Sequence, residues 1–132
     1  MIGLLVITHA RLARELVNAA EFILGKIEQI ETLSVENDPD ADRLRKAITA
    51  SLERLEQGQG VLILTDMFGG TPNNVALAFL NPGKIEVITG VNLPMIIKAS
   101  TVRAKNDLSK LANLSAEAGK GAISVASEIL SS

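Results

Sequence analysis

The sequence predicts one α/β domain, a mainly parallel open sheet with helices on both faces. Three observations support that prediction. Short apolar runs alternate with amphipathic stretches of helical length from end to end, as in repeated βαβ units. Most of the strand-like runs are apolar almost throughout, as expected of strands covered on both faces. Finally, residues 1–132 contain no internal repeat, low-complexity stretch or linker, at a length that suits a single domain.

Ile2-Gly3-Leu4-Leu5-Val6-Ile7 reads as the first strand. Over residues 10–24, Leu12, Leu16, Ala19, Ala20, Ile23 and Leu24 recur at helical spacing, and Gly25 closes the segment. Ile27, Ile30, Leu33 and Val35 lie among polar residues, which predicts a less buried strand near an edge. Asp38-Pro39 opens a second helix, with Pro39 in its first turn. Leu44, Ala47, Ile48, Leu52 and Leu55 line one face of that helix, which runs to about Gln57 before Gly58 and Gly60. Val61-Leu62-Ile63-Leu64-Thr65 is the most buried-looking strand. A loop, Asp66 to Gly70, leads into a helix from Pro72 to about Leu80 with Thr71 as its cap, and Asn81-Pro82-Gly83 makes a turn. Ile85 to Thr89 is the fourth strand, ended by Gly90. Asn92 caps a helix through Ile97, residues 104–119 form another, and residues 122–126 are expected as a short fifth strand.

Composition narrows the chemistry. At 47% hydrophobic and 21% charged, the chain suits a globular protein with a core. It has no cysteine, hence no disulfide framework or thiol nucleophile, and a single histidine, which argues against a histidine metal site. A carboxylate metal site lacks a clustered acidic motif, so no metal or other cofactor is expected. Net charge is −2, and three Phe with no Tyr or Trp offer no platform for stacked bases. Composition therefore argues against nucleic acid as a ligand. The six-residue apolar run at the N-terminus has no basic region before it, and no stretch reaches the ~20 apolar residues of a membrane span. A cytoplasmic protein is expected.

In an open parallel sheet, ligands bind beyond the carboxyl ends of the strands, where strand order reverses. Three loops should emerge on that edge: Thr8-His9-Ala10, Asp66 to Pro72, and Gly90 to Pro94. They bring His9, Asp66 and the Gly69-Gly70 pair toward one cleft. An aspartate facing one ring nitrogen of a histidine would set its tautomer and leave the other nitrogen as a nucleophile. Gly69, Gly70 and Thr71 offer backbone N–H groups to phosphate oxygens, and phosphoryl transfer depends mostly on positioning. Each residue also has a plainer reading: His9 and Asp66 as turn or cap residues, the glycines as ordinary loop residues, Arg11 and Arg14 as solvated charges. Met67, Phe68, Leu93 and Met95 read as core, or as an apolar docking rim where exposed. Only their joint placement favours function. A nucleotide-binding loop of the Gly-x-x-x-x-Gly-Lys-[Ser/Thr] kind is absent, and one histidine is too few for a histidine phosphatase or a phosphomutase.

Three segments resemble a known family: Met1 to His9, then Thr65-Asp66-Met67-Phe68-Gly69-Gly70-Thr71-Pro72-Asn73-Asn74, then Thr89-Gly90-Val91-Asn92-Leu93-Pro94-Met95. Together they are similar to the IIA component of the mannose, fructose and sorbose class of the bacterial sugar phosphotransferase system, over essentially the whole chain. That resemblance implies an α/β sandwich in which His9 takes a phosphoryl group from phospho-HPr and passes it to a IIB histidine for sugar uptake. Asp66 would orient His9, Gly69, Gly70 and Thr71 would lie against the phosphoryl group, and Met67, Phe68, Asn92, Leu93 and Pro94 would form the rim where partners dock. It further implies a homodimer that exchanges C-terminal strands, here residues 122–126, and a link to the membrane only through the IIC and IID components. No IIB domain follows within the 132 residues, so a separate IIB chain is expected. Ala10 stands where the family commonly has glycine, and Lys98 where it commonly has an acidic residue. A related dihydroxyacetone-kinase subunit also begins strand–His but lacks the Gly-Gly-Thr-Pro form. A regulatory IIA-like protein, whose phosphorylation state a partner reads without transport, has the same site chemistry and is the alternative.

Overall fold

A computed structural model of the chain describes residues 1–36 and 40–131. Its elements are β1 (Gly3–His9), α1 (Leu12–Leu24), β2 (Ile30–Val35), α2 (Ala41–Leu55), β3 (Val61–Thr65), α3 (Thr71–Leu77), β4 (Ile85–Thr89), α4 (Leu93–Val102), α5 (Leu108–Gly121) and α6 (Ala126–Leu130), with a 3-10 turn at Arg103–Lys105. The four strands form one sheet in the order β2-β1-β3-β4, and every pairing is parallel. The predicted α/β fold is therefore present.

Alternation along β1 splits the core in two. Ile2, Leu4 and Val6 join Leu62 and Leu64 of β3 under α1, α4 and α5, against Ala13, Val17, Ile96, Ala99 and Leu111. Leu5 and Ile7 join Ile63 on the other face, under α2 and α3, against Leu44, Ile48, Leu55, Val75 and Ala76. Each fully buried Leu or Ile contributes about 1.5–3 kcal/mol, and β1 and β3 are buried along almost their whole length. The outer strands β2 and β4 are only half-buried. Gly3 lets α2 end close against β1: a Cβ there would stand 2.7 Å from Leu55 Cβ and 2.9 Å from its carbonyl oxygen.

Several predicted boundaries move. β1 runs on through His9, so α1 begins only at Leu12. The cap of α2 is Asp40, whose carboxylate accepts from the N–H groups of Asp42 and Arg43; Asp38 and Pro39 lie outside the described residues. Gly70, not Thr71, is the N-cap of α3. That helix closes early, and residues 78–80 continue it in tighter i→i+3 bonds. Helix α4 reaches Val102, and Asp107 caps α5 through the N–H of Lys110.

The expected fifth strand is not formed within one chain. Among the described residues, residues 123–125 are irregular and α6 follows, with Ile123, Val125, Ile129 and Leu130 exposed. A strand requires a ladder for its backbone groups, and this segment pairs with none of the four strands, although Ile123 lines the same groove as Val87 and Thr89. No described helix is long and apolar enough to cross a membrane.

Candidate functional site

The chain leaves β1 toward β2 on one side and reaches β3 on the other, so the sheet's switch point lies between the carboxyl ends of β1 and β3. The register pairs Ile7 with Thr65. His9 and Asp66, just beyond that pair, therefore emerge side by side. Asp66 Oδ2 accepts from the His9 backbone N–H at 2.9 Å and lies 2.7 Å from His9 Nδ1. Asp66 Oδ1 accepts from the N–H of Met67 at 3.0 Å. The aspartate side chain is only 11% exposed and the imidazole 47%.

Burial tends to raise the pKa of Asp66. The hydrogen bonds from the His9 backbone and ring outweigh it and hold the carboxyl below its usual range. An ionised carboxylate can only accept, so the ring must donate from Nδ1. Nε2 then keeps its lone pair, and it takes part in none of the site's hydrogen bonds.

The turn after His9 is held from beneath. Thr8, fully buried, donates from Oγ1 to the His9 carbonyl at 3.0 Å and accepts from the Ala13 N–H at 2.7 Å, capping α1 with a side chain outside the helix. The Ala10 N–H donates to the Val35 carbonyl at 2.8 Å. Ala10 has φ +50°, in the left-handed region that favours glycine. Nothing at the sequence level separated Thr8 from an ordinary strand residue.

Gly70 packs directly on the imidazole. A Cβ at that position would lie 2.7 Å from His9 Cε1 and 3.2 Å from Nε2. Gly69 takes φ +89°, and its carbonyl accepts from Asn74 Nδ2 at 3.2 Å. Thr71 opens α3 beside Gly70 and lines a cleft with Leu33, Val35, Asp40 and Arg43 that adjoins the one beside the ring. The cleft beside the ring is lined by His9, Ala10, Arg11, Val35 and Glu36.

Of the expected rim, Met67 and Phe68 are exposed, Phe68 at 74%. Leu12, at the start of α1, is a further exposed apolar residue, and its sequence pattern shows only the helical periodicity of α1. Leu93 and Pro94 are half-buried at the start of α4, with Leu93 packed on the core. The Asn92 side chain is engaged within the protein: Oδ1 accepts from the Met95 N–H at 3.1 Å, and Nδ2 donates to the Gly119 carbonyl at 3.0 Å. It caps α4 and clamps α5, so its amide is not free at the rim. No group of three or more His, Asp or Glu side chains stands together as a metal site among the described residues.

One family model and several known proteins are similar to this chain. A family model described as "PTS system fructose IIA component" matches residues 3–115. The mannose-specific EIIAB component of the phosphotransferase system of Escherichia coli K12 is 32% identical over 123 residues, which cover 90% of this chain and 38% of that relative. The chain thus spans well under half the length of that curated relative. Among solved structures, the mannose/sorbose-specific IIA subunit of Enterococcus faecalis superposes with a TM-score of 0.84 at 25% identity, over 94% of this chain and 93% of that one. The phosphotransferase system component EIIA of Streptococcus agalactiae shares the fold with a TM-score of 0.89 at 24% identity, over 97% and 99% of the two chains.

Proposed function

The chain belongs to the fructose IIA component family of the sugar phosphotransferase system, and from that membership we propose that it is a cytoplasmic phosphocarrier in which His9 is the phosphoryl acceptor. The observation behind this is the 2.7 Å contact between Asp66 Oδ2 and His9 Nδ1, which leaves Nε2 as the free nucleophile.

In the proposed step, the Nε2 lone pair attacks the phosphorus of the donor's phosphohistidine. The Nε2–P bond forms as the donor's N–P bond breaks, and the donor ring recovers the electron pair as a neutral imidazole. No proton needs to move at either reacting nitrogen. His9 becomes a phosphorylated, positively charged ring that still donates from Nδ1, and the adjacent Asp66 carboxylate stabilises that charge. Gly69, Gly70 and Thr71 border the arriving group, and the absence of a side chain at Gly70 leaves room for it. Transfer to a IIB histidine is the same step in reverse, with the leaving and attacking rings exchanged. Met67, Phe68 and Leu12 give both partners an apolar surface around the ring. The partners in this reading are phospho-HPr as donor and a IIB chain as acceptor, which in turn serves the IIC and IID membrane components.

The same reading includes a homodimer. The exposed apolar residues Ile123 and Val125 precede α6, and the outer edge of β4 borders a groove lined by Val87, Thr89, Asn113 and Ala116. A strand from a second copy would supply the ladder that the C-terminal segment lacks in one chain.

One experiment tests both parts: mass spectrometry of wild type and His9→Ala after incubation with phosphoenolpyruvate, enzyme I and HPr. Wild type should gain one acid-labile phosphoryl group and the variant none, both reading twice the chain mass under native conditions. A phosphorylated His9→Ala protein overturns the site, and a monomeric wild type overturns the dimer.

A further inference from the structure

The segment from Asp66 to Gly70 must do two things at once: keep a carboxylate on Nδ1 and keep a bare Cα against the ring. Little apolar burial holds it, because Met67 and Phe68 point outward. Its exposed hydrogen bonds, Met67 N–H to Asp66 Oδ1 and Asn74 Nδ2 to the Gly69 carbonyl, compete with water. One bond does not. Thr65 Oγ1 donates to Asn73 Oδ1 at 2.9 Å, and both residues are completely buried.

That bond joins the last residue of β3 to the first turn of α3, so it brackets the whole loop. Thr65 is itself fixed in the sheet, where its carbonyl accepts from the N–H groups of Gly90 and Val91 at 2.9 and 2.8 Å. Asn73 Nδ2, in contrast, is buried and has no partner among the described residues. A half-satisfied amide in a core is worse for stability than an apolar side chain of similar size. Stability alone therefore does not account for an asparagine here, and a directional constraint on the loop does.

We infer that Thr65 and Asn73 form a buried pin that sets the position of Asp66 and Gly70 against His9, and so are positioning residues for phosphoryl transfer. The inference rests on the carrier reading above. A displacement on the order of 1 Å in such a constellation costs about a hundredfold in rate.

The test is the double variant Thr65→Val/Asn73→Leu, which removes both polar partners and leaves no amide unpaired. Its melting temperature should stay within a few degrees of wild type. Its phosphorylation rate at saturating phospho-HPr should fall about tenfold to a hundredfold, while the half-saturating concentration of phospho-HPr stays unchanged. Thr65→Ser, which keeps the hydroxyl, should stay within about threefold of wild type. The single histidine makes its ring nitrogens unambiguous in ¹⁵N NMR, and they should shift in the double variant and stay in place in Thr65→Ser. A folded double variant with the wild-type rate overturns the pin. If the double variant does not fold, Thr65→Val loses the same bond and is measured at a temperature where it is folded, with a wild-type rate again overturning the pin. A wild type that accepts no phosphoryl group from phospho-HPr overturns the carrier reading instead.

Discussion

The two ends of β1 handle polar groups in opposite ways. At the amino end, Arg103 is 5% exposed and its guanidinium donates to three backbone carbonyls: those of Ile2 and Gln29, each at 3.2 Å, and that of Glu28. Burial lowers its pKa, and the charge of Glu28 opposes that. At the carboxyl end, the imidazole is half exposed and uses only one of its ring nitrogens. The first arrangement spends its donors on holding β1 and β2 together. The second leaves the Nε2 lone pair outside the site's hydrogen bonds, where the proposed phosphoryl group would attach. The comparison separates stability from reactivity along one strand about seven residues long.

Arg103→Leu should show the largest effect and fall entirely on the stability side. It strips the carbonyls of Ile2 and Glu28 of their buried donor, at a cost of about 2–4 kcal/mol, or roughly a 5–15 °C drop in melting temperature for a domain of this size. Calorimetry reads the loss. Phosphoryl acceptance, measured well below the lowered melting temperature, should stay within about twofold of wild type. A rate that collapses while the protein is still folded would break the division between the two ends.

Gly70→Ala should show the reverse. Gly70 has an ordinary negative φ of −82°, so alanine strains no backbone and stability changes by less than about 1 kcal/mol. The new Cβ, 2.7 Å from His9 Cε1, forces the ring to give way and disturbs its bond to Asp66. The acceptance rate should fall about tenfold or more, equivalent to roughly 1.4 kcal/mol at the transition state. Quench-flow phosphorylation paired with urea unfolding would sharpen the comparison, since one change should move only one of the two measurements.

Much of this layout was legible in the sequence, for reasons that also explain what was missed. The apolar run from Val61 to Thr65 marked one strand, so the loop bearing Asp66 fell where expected. His9 and Asp66 could be paired because a parallel sheet puts both strand ends on the same edge. Arg103 gave no signal: its partners are backbone carbonyls 74 to 101 residues away, and no local pattern marks a cation whose partners are main chain. Thr8 and Asn73 look like unremarkable polar residues until the third dimension closes on them. Residues 122–126 read as a strand because Ile123 and Val125 favour one, but a strand also needs a neighbour, and one chain does not provide it. Asn92 was placed at the rim by its motif, yet its amide is occupied by Met95 and Gly119.

The smallest effect is the most diagnostic of charge at the carboxyl end. The Asp66 carboxyl titrates below its ordinary value in the folded protein, so the folded state binds its proton less readily than the unfolded chain does. Stability from that difference is fully present above the unfolded pKa, near 4. It is lost as pH falls through the folded value. His9 is the titratable side chain that meets Asp66. Asp66→Asn removes the charge while keeping the shape, so wild type should be the more stable protein at pH 7, and its margin over the variant should shrink as the pH is taken below about 4. Urea unfolding of both proteins at pH 7 and pH 3 measures the margin. A margin that stays constant would assign the contribution of Asp66 to packing and neutral hydrogen bonds. A margin that closes would show that the carboxylate beside the proposed phosphoryl acceptor already acts as a charge in the resting protein.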